Sequence, residues 1–300
     1  MQHRHWGLVA LLSVTVIWGT TFPAMKQLSV HLQPLHIIAL RFGLAALALL
    51  PLLRGMRAAE WRWGVGLGLL HFLAFWLQIE GLALTSSNRN AFVTGLNVLM
   101  VPLLAWAVLR RQLSWPIWAA CALALLGLRL MFYEDSPWNL GDSLTLASAL
   151  CFALFILSLE ACALRNRQAP LRATRLAAAV ALTMFCGSLL VLGAQEAGWS
   201  QLLARTRQLG AGAWAAVVYL ALAASVLVVV LQAWGQQRVD AMRSAIIYGL
   251  EPVFAAITAW LLIGEHMGPL AILGAALLVL ALMLSQLGSQ EAPGQPLQQT

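Results

Sequence analysis

Read for its hydrophobic and polar positions, the chain alternates between apolar stretches of roughly 20 residues and short polar breaks, ten times over. A helix rises about 1.5 Å per residue, so a stretch of that length crosses the roughly 30 Å hydrocarbon core of a bilayer. The stretches fall at residues 6–25, 34–53, 62–82, 90–109, 115–132, 141–163, 172–193, 213–233, 244–263 and 268–287. Most connections are short, which makes neighbouring helices antiparallel. The longest, residues 194–212, carries Trp199 and suits a segment lying along the membrane interface. The predicted fold class is therefore all-α integral membrane, with ten transmembrane helices. The first stretch follows Arg4 but is long for a signal-peptide core and lacks a small-residue cleavage site before Lys26. It reads as a permanent helix. The tail at residues 288–300 is rich in Gln, Pro and Gly and is expected to be disordered.

Composition agrees with this pattern. Of 300 residues, 61% are hydrophobic and only 10% charged. A net charge of +7 would suggest a nucleic-acid partner in a soluble protein, but here the basic residues are divided among short loops. No nucleic-acid partner is expected. Counting Arg and Lys on alternate sides gives twelve against five, which predicts that both termini are cytoplasmic. Residues such as Trp6, Trp61, Trp115, Trp138 and Trp214 fall near span ends, where amphipathic rings prefer to sit. The four cysteines, Cys121, Cys151, Cys162 and Cys186, lie within apolar stretches without CxxC spacing, as buried small hydrophobes do.

The chain also looks doubled. The run Arg110-Arg111-Gln112-Leu113-Ser114-Trp115-Pro116 stands where Ile263-Gly264-Glu265-His266-Met267-Gly268-Pro269 stands in the second half, each after a helix containing proline (Pro102, Pro252). An offset of 134 residues matches Trp18 with Phe152, Lys26 with Glu160 and Arg41 with Arg175. Five helices per half is an odd number, so the halves, 6–133 and 141–287, must insert in opposite orientations. Two inverted five-helix repeats are the plan of secondary transporters, whose substrate site lies near the midplane where the repeats meet. One half would rock on the other around that site.

Several runs resemble the drug/metabolite transporter superfamily, specifically its EamA-type ten-helix members, over residues 6–287. These are Trp18-Gly19-Thr20-Thr21-Phe22, Ala39-Leu40-Arg41-Phe42, the stretch from Gly81 to Leu104, and Leu250-Glu251-Pro252-Val253-Phe254 followed by Gly264-Glu265. The first half departs from the family pattern at Arg111-Gln112, where an acidic residue is common; the second half keeps Glu265. The resemblance implies a carrier of small organic metabolites, often an exporter, and leaves the substrate open.

Polar groups inside spans are the candidates for contact with substrate. A charge at mid-span costs about 2.5–3.5 kcal/mol on insertion scales, so it should face a cavity or a partner. Arg41 could anchor a substrate carboxylate or hold backbone carbonyls or Glu80. Glu251 precedes Pro252, which should bend the helix beside an acid suited to a proton or a cationic substrate; the alternative is a glutamate that holds the kink. Glu80 and Glu160 lie near span ends and could reach the interface. His71, Gln78, Asn97 and Gln232 suit hydrogen bonding between helices. Trp18, Trp76 and Tyr248 are candidate walls of an apolar pocket. The expected substrate-binding set is thus Trp18, Arg41, Trp76, Asn97, Tyr248 and Glu251.

There is no Walker, GxSxG, HExxH or Rossmann motif and no zinc-ligand spacing, so no enzyme activity, metal or cofactor is expected. The expected function is a secondary transporter of amino acids, drugs or related solutes across an inner membrane by alternating access, working as an exporter. Its partners would be the solute, the bilayer and protons as a coupling ion. The competing readings are a translocator of a lipid or lipid-linked headgroup and an integral-membrane enzyme.

Overall fold

The structure is a computed structural model, and it describes residues 2–109, 114–131, 137–166, 171–229, 231–232 and 247–288. The loop holding Arg110, Arg111 and Gln112, the stretch 233–246 and the tail from 289 lie outside the described residues. Among the described residues there are helices and no strands. In chain order they are α1 (Gln2–Leu28), α2 (Pro34–Leu49, continued by a 3-10 turn, Leu50–Leu53), α3 (Ala58–Leu84), α4 (Ser87–Gly95), α5 (Asn97–Leu109) and α6 (Trp115–Met131). There follow α7 (Leu140–Arg165), α8 (Ala173–Ala194), α9 (Gly198–Arg207), α10 (Ala211–Val218, running on as a π-helix, Tyr219–Leu227), α11 (Glu251–Ile263) and α12 (Pro269–Gly288).

Each apolar stretch has its helix, but not all are whole. Among the described residues six segments are long and apolar enough to cross a membrane unaided: His5–Leu28, Pro34–Leu53, Ala58–Leu84, Ser87–Ala107, Leu140–Leu159 and Ala173–Ala194. α6, α11 and α12 are shorter, and α9 meets α10 at a bend of 114°. The long connection expected to follow the interface is thus the short helix α9, with Trp199 exposed on it. Large apolar side chains such as Leu47, Leu69, Leu125 and Leu190 point outward, whereas Glu60, Arg89 and Asp142 are buried. That distribution fits a lipid surround.

Two stretches expected as single helices are interrupted. The fourth is divided at Leu96 into α4 and α5, and the ninth has a turn at Gly249 and Leu250 before α11 begins. Pro252 therefore sits in the first turn of a new helix, where its missing N–H costs nothing, rather than kinking a helix interior.

The helix contacts display the repeat. Numbering the ten apolar segments in order, segment 5 packs on 10, 3 on 6 and 7, 2 on 7 and 8, 1 on 9, and 4 on 9 and 6. Exchanging the first five segments with the last five turns 1·9 into 6·4 and 2·8 into 7·3, and turns 3·6 into 8·1, a lesser contact that is also present, so the pattern is repeated although not at equal strength. The leading contacts run between halves, so neither half is a separate body. Small residues permit the closest of these contacts: a Cβ on Gly68 would lie 2.6 Å from Thr183 Cβ where α3 meets α8, and Ala271 and Ala275 are buried in the core shared by α6 and α12.

Helix ends meet other ends of the same side. On the near face, where α1 starts, the buried Glu60 carboxylate accepts from Arg57 N (2.8 Å), Arg172 N (3.4 Å) and Arg175 Nη1 (3.3 Å), serving the starts of α3 and α8 together. On the far face Arg205 Nη1 donates to His31 O (3.1 Å) and Gln27 Nε2 to Leu262 O (3.4 Å). Arg175, matched by sequence offset with Arg41, is in fact a surface clamp on Gly55 O (2.9 Å).

Candidate functional site

The run from Trp18 to Phe22 contacts three other segments through Trp18, Gly19, Thr20 and Phe22. The Trp18 ring lies 5.4 Å from Tyr248, tilted by 50°. Gly19 faces α11 so closely that a Cβ there would lie 2.7 Å from Phe254 Cβ and 2.8 Å from Ala255 N. Thr258 Oγ1 donates to Gly19 O (3.3 Å). Thr20 Oγ1 shares a hydrogen bond with Tyr219 OH on the π-helix, and Phe22 is buried with Ala91 of α4 and Ala255 of α11.

Glu251 is the first residue of α11, one turn beyond Tyr248. Among the described residues no hydrogen bond or ion pair reaches its carboxylate. Across from it, a Cβ on Gly95 would lie 3.0 Å from Pro252 Cγ, so the end of α4 abuts the start of α11. Asn97, the first residue of α5, follows that end directly. The two breaks therefore confront each other, and their sequences correspond. Gly95-Leu96-Asn97 matches Gly249-Leu250-Glu251 at an offset of 154 residues, which also pairs Arg89 with Arg243, Ala91 with Ala245 and Ala105-Trp106 with Ala259-Trp260. Asn97 and Glu251 are repeat equivalents, each opening a half-helix. Breaks of this kind leave backbone groups free beside a polar side chain, the usual construction of a solute or ion site in a membrane.

Arg41 forms a second centre. Its guanidinium is buried, with Nε donating to Ser225 Oγ (2.9 Å), Nη2 to Ala224 O (3.2 Å) and Nη1 facing Met25 Sδ (3.6 Å). The π-helix explains the match. Its wider turn places carbonyls off the α register, Ser225 Oγ closes it on Leu220 O (2.9 Å), and Arg41 takes up the Ala224 carbonyl. Phe75 and Phe42 lie 4.9 and 5.2 Å from its Cζ, and His71 stacks on Phe75 at 5.0 Å. Arg41 does not reach Glu80, which instead accepts from Trp76 Nε1 (3.0 Å) one turn away on α3.

The structure thus brings Trp18, Tyr248, Glu251 and Asn97 to the facing breaks and joins Arg41 to them through α1. Among the described residues no hydrogen bond or ring contact links Trp76 to that group; its ring neighbour is Phe72 at 5.8 Å. An open groove of about 390 Å³ on the far face, lined by Val30, His31, Arg205, Gln208 and Leu209, involves none of the expected site residues.

One constellation is absent from the sequence-based set. Arg89, counted there as a loop charge, is buried with Nη2 2.5 Å from Asp142 Oδ2. Asp142 also accepts from Thr85 Oγ1 (3.0 Å) and from Asn139 N (2.9 Å), while Asn90 Nδ2 donates to Thr145 Oγ1 (2.7 Å). Beside them Lys26 Nζ donates to Leu82 O (2.7 Å) and Thr85 O (2.6 Å), the orphan carbonyls at the end of α3. Glu265 accepts from Ser87 N (3.0 Å) and Asn88 N (2.8 Å), the orphan donors at the start of α4. The acid after Gly264 is therefore a helix cap for a distant segment.

The Gly19 contact carries a prediction. Gly19→Ala is expected to lower thermal stability by about 1–3 kcal/mol, because the backbone it meets cannot yield as a side chain can. Gly66→Ala is the comparison, since a Cβ there meets nothing within 4 Å and the helix gains from the exchange. Melting temperatures of the two variants that moved together would refute the close approach of α1 and α11.

The sequence profile of the EamA-like transporter family matches residues 5–133 and again 139–287. A protein of Archaeoglobus fulgidus named as an uncharacterized transporter is 26% identical over 279 residues, spanning 93% of this chain and 85% of that protein. The uncharacterized transporter YyaM of Bacillus subtilis is 24% identical over 292 residues, 92% of each chain. A solved crystal structure of a protein superposes with a TM-score of 0.66 at 16% identity, covering 96% of this chain and 99% of that one, which extends the likeness to the fold. With the family profile matched in both halves of a bundle whose contacts carry the same repeat, the chain belongs to the EamA-like transporter family and is a multi-pass membrane transporter.

Proposed function

We propose that the protein is a secondary transporter that moves small organic solutes by alternating access, acting as an exporter in an inner membrane with both termini cytoplasmic. The observation that carries this reading is the pair of facing helix breaks, one opening on Asn97 and the other on Glu251, whose carboxylate has no hydrogen-bond or ion-pair partner among the described residues. A charge left without a partner inside a bundle is costly unless a solute or a proton takes the vacant place. Trp18 and Tyr248 supply flat apolar walls beside it. In this reading Arg41, which braces the π-helix from α2, and Trp76, which donates to Glu80 on α3, are further candidate contacts for the solute. Protons are the coupling ion in this reading, exchanged at Glu251 as the solute leaves.

The test is thermal stabilisation of the purified protein by amino acids, nucleosides, amines and lipid headgroups, since a ligand that binds only the folded state raises its stability by mass action. A shift with a soluble solute supports the proposal. A shift with headgroups alone replaces it with lipid translocation, and no shift with any class counts against a solute site.

A further inference from the structure

We propose that α4 and α11 form a paired gate on the far face, hinged at Leu96 and at Gly249–Leu250, with Arg89, Asp142, Glu265 and Lys26 as the positioning residues that hold it shut. The inference rests on the transporter reading and names which parts of the bundle move.

The two half-helices are joined at both ends. At the centre Gly95 abuts Pro252; at the far face the Glu265 carboxylate, just past the end of α11, holds Ser87 N and Asn88 N at the start of α4. Between these points Ala91 and Ala255 are buried with Phe22. Helices of nine and 13 residues are about 13 and 20 Å long, so the pair reaches from the breaks to the far surface.

Both inner ends have the backbone of a hinge. Leu96 N donates to Val93 O (3.2 Å), a 3-10 bond, while Leu96 O accepts from both Leu99 N (2.9 Å) and Met100 N (2.9 Å), where the helical ladder resumes. At the other break Leu250 N donates to Ile247 O (3.1 Å), and Leu250 O accepts from both Val253 N (3.0 Å) and Phe254 N (3.2 Å). Such turns absorb a change of direction without unfolding either flank.

The outer end of the gate is fastened to its neighbours largely by polar groups. Arg89 is tied to Asp142 at the start of α7, and Asn90 to Thr145 one turn on. Lys26 holds the α3–α4 corner from α1 through Leu82 O and Thr85 O. All of Thr85, Ser87, Asn88, Arg89, Asn90 and Asp142 are buried, so the far face is closed here. Polar fastenings suit a part that opens, because water can replace each bond at small net cost, which it cannot do for an apolar seam. The sequence fits the task, since α4 opens with Ser87-Asn88-Arg89-Asn90.

The test uses the full chain in proteoliposomes, with Cys121, Cys151, Cys162 and Cys186 replaced by serine and a single reporter introduced as Ala91→Cys. A membrane-impermeant methanethiosulfonate reagent is added from the far side, without solute. In the double variant R89Q/D142N, which removes both charges together and leaves neither alone, labelling is expected to be about tenfold faster. Glu265→Gln, on a partly exposed loop, should have the same effect and serves if the double variant does not fold. A second reporter, Val14→Cys, lies buried in α1 and should label no faster in either variant. Unchanged labelling at 91 in folded protein overturns the proposal, and so does a parallel rise at 14, which marks general loosening. Faster labelling at 91 together with no solute flux would keep the gate and reject the transporter reading of the site.

Discussion

Glu251→Gln is expected to cut transport about ten- to hundredfold while leaving the protein as stable as before or more so. The first part follows from the size of a bond to a charged group, about 1.5–3 kcal/mol, withdrawn from whatever solute or proton the carboxylate serves. The second part separates two roles for the same residue. A glutamate that held the break together would take stability with it when replaced. Here no described group bonds to the carboxylate, so a neutral amide of the same shape removes a charge inside the bundle and breaks no bond among the described residues. Sites that store such a cost commonly gain stability when it is relieved. Transport measured in vesicles and melting temperature measured in detergent decide between the roles. Loss of both together would make Glu251 structural; retention of full transport would remove it from the site.

The largest loss of stability is expected at Asp142. It closes a capping box with Asn139 at the start of α7, accepts Thr85 and is paired with Arg89, all without exposure to solvent. Asp142→Ala removes the carboxylate 2.5 Å from the Arg89 guanidinium, a residue only 3% exposed. Breaking a buried pair from one side costs about 3–5 kcal/mol, and a lost cap adds about 1 kcal/mol. A fall in melting temperature on the order of ten degrees is the expected reading. A change within experimental scatter would mean that Arg89 has another anion or reaches water. The double exchange R89Q/D142N should recover most of the loss, because two neutral amides can still hydrogen-bond where a single charge cannot be left.

The bundle was legible from the sequence to the extent that hydropathy reports it. Helices long enough to cross a bilayer follow from runs of apolar residues, and the sequence singled out Trp18 and Tyr248, whose rings lie 5.4 Å apart, and Glu251, expected beside a kink and found at the start of α11. The breaks themselves were harder to see. Nothing in Thr94-Gly95-Leu96-Asn97 interrupts an apolar helix by composition, and only its alignment with Tyr248-Gly249-Leu250-Glu251 marks it. Arg89 was hidden for a different reason. It stands in Ser86-Ser87-Asn88-Arg89-Asn90, a run as polar as any loop, and burial became possible because Asp142, far away in sequence, meets it. The π-helix at Tyr219–Leu227 carries no signal in its own residues; the guanidinium that accommodates it comes from α2. Glu265 illustrates the same point, since a loop acid becomes a helix cap only when its distant partner is known.

The interleaved contacts also change what alternating access requires. Because the leading contacts run between the repeats, the proposed gate of α4 and α11, rather than a rocking half, is the moving part in this reading. The claim that the protein is a carrier is tested most directly by counterflow. Proteoliposomes are loaded with unlabelled solute, chosen from the thermal-stabilisation panel, and diluted into a trace of the labelled form. A transient accumulation of label above its equilibrium level is expected, absent in Glu251→Gln vesicles, because an alternating site exchanges one molecule for another. Entry of label that rises to equilibrium without an overshoot, or no entry for any solute that stabilises the protein, would contradict that claim.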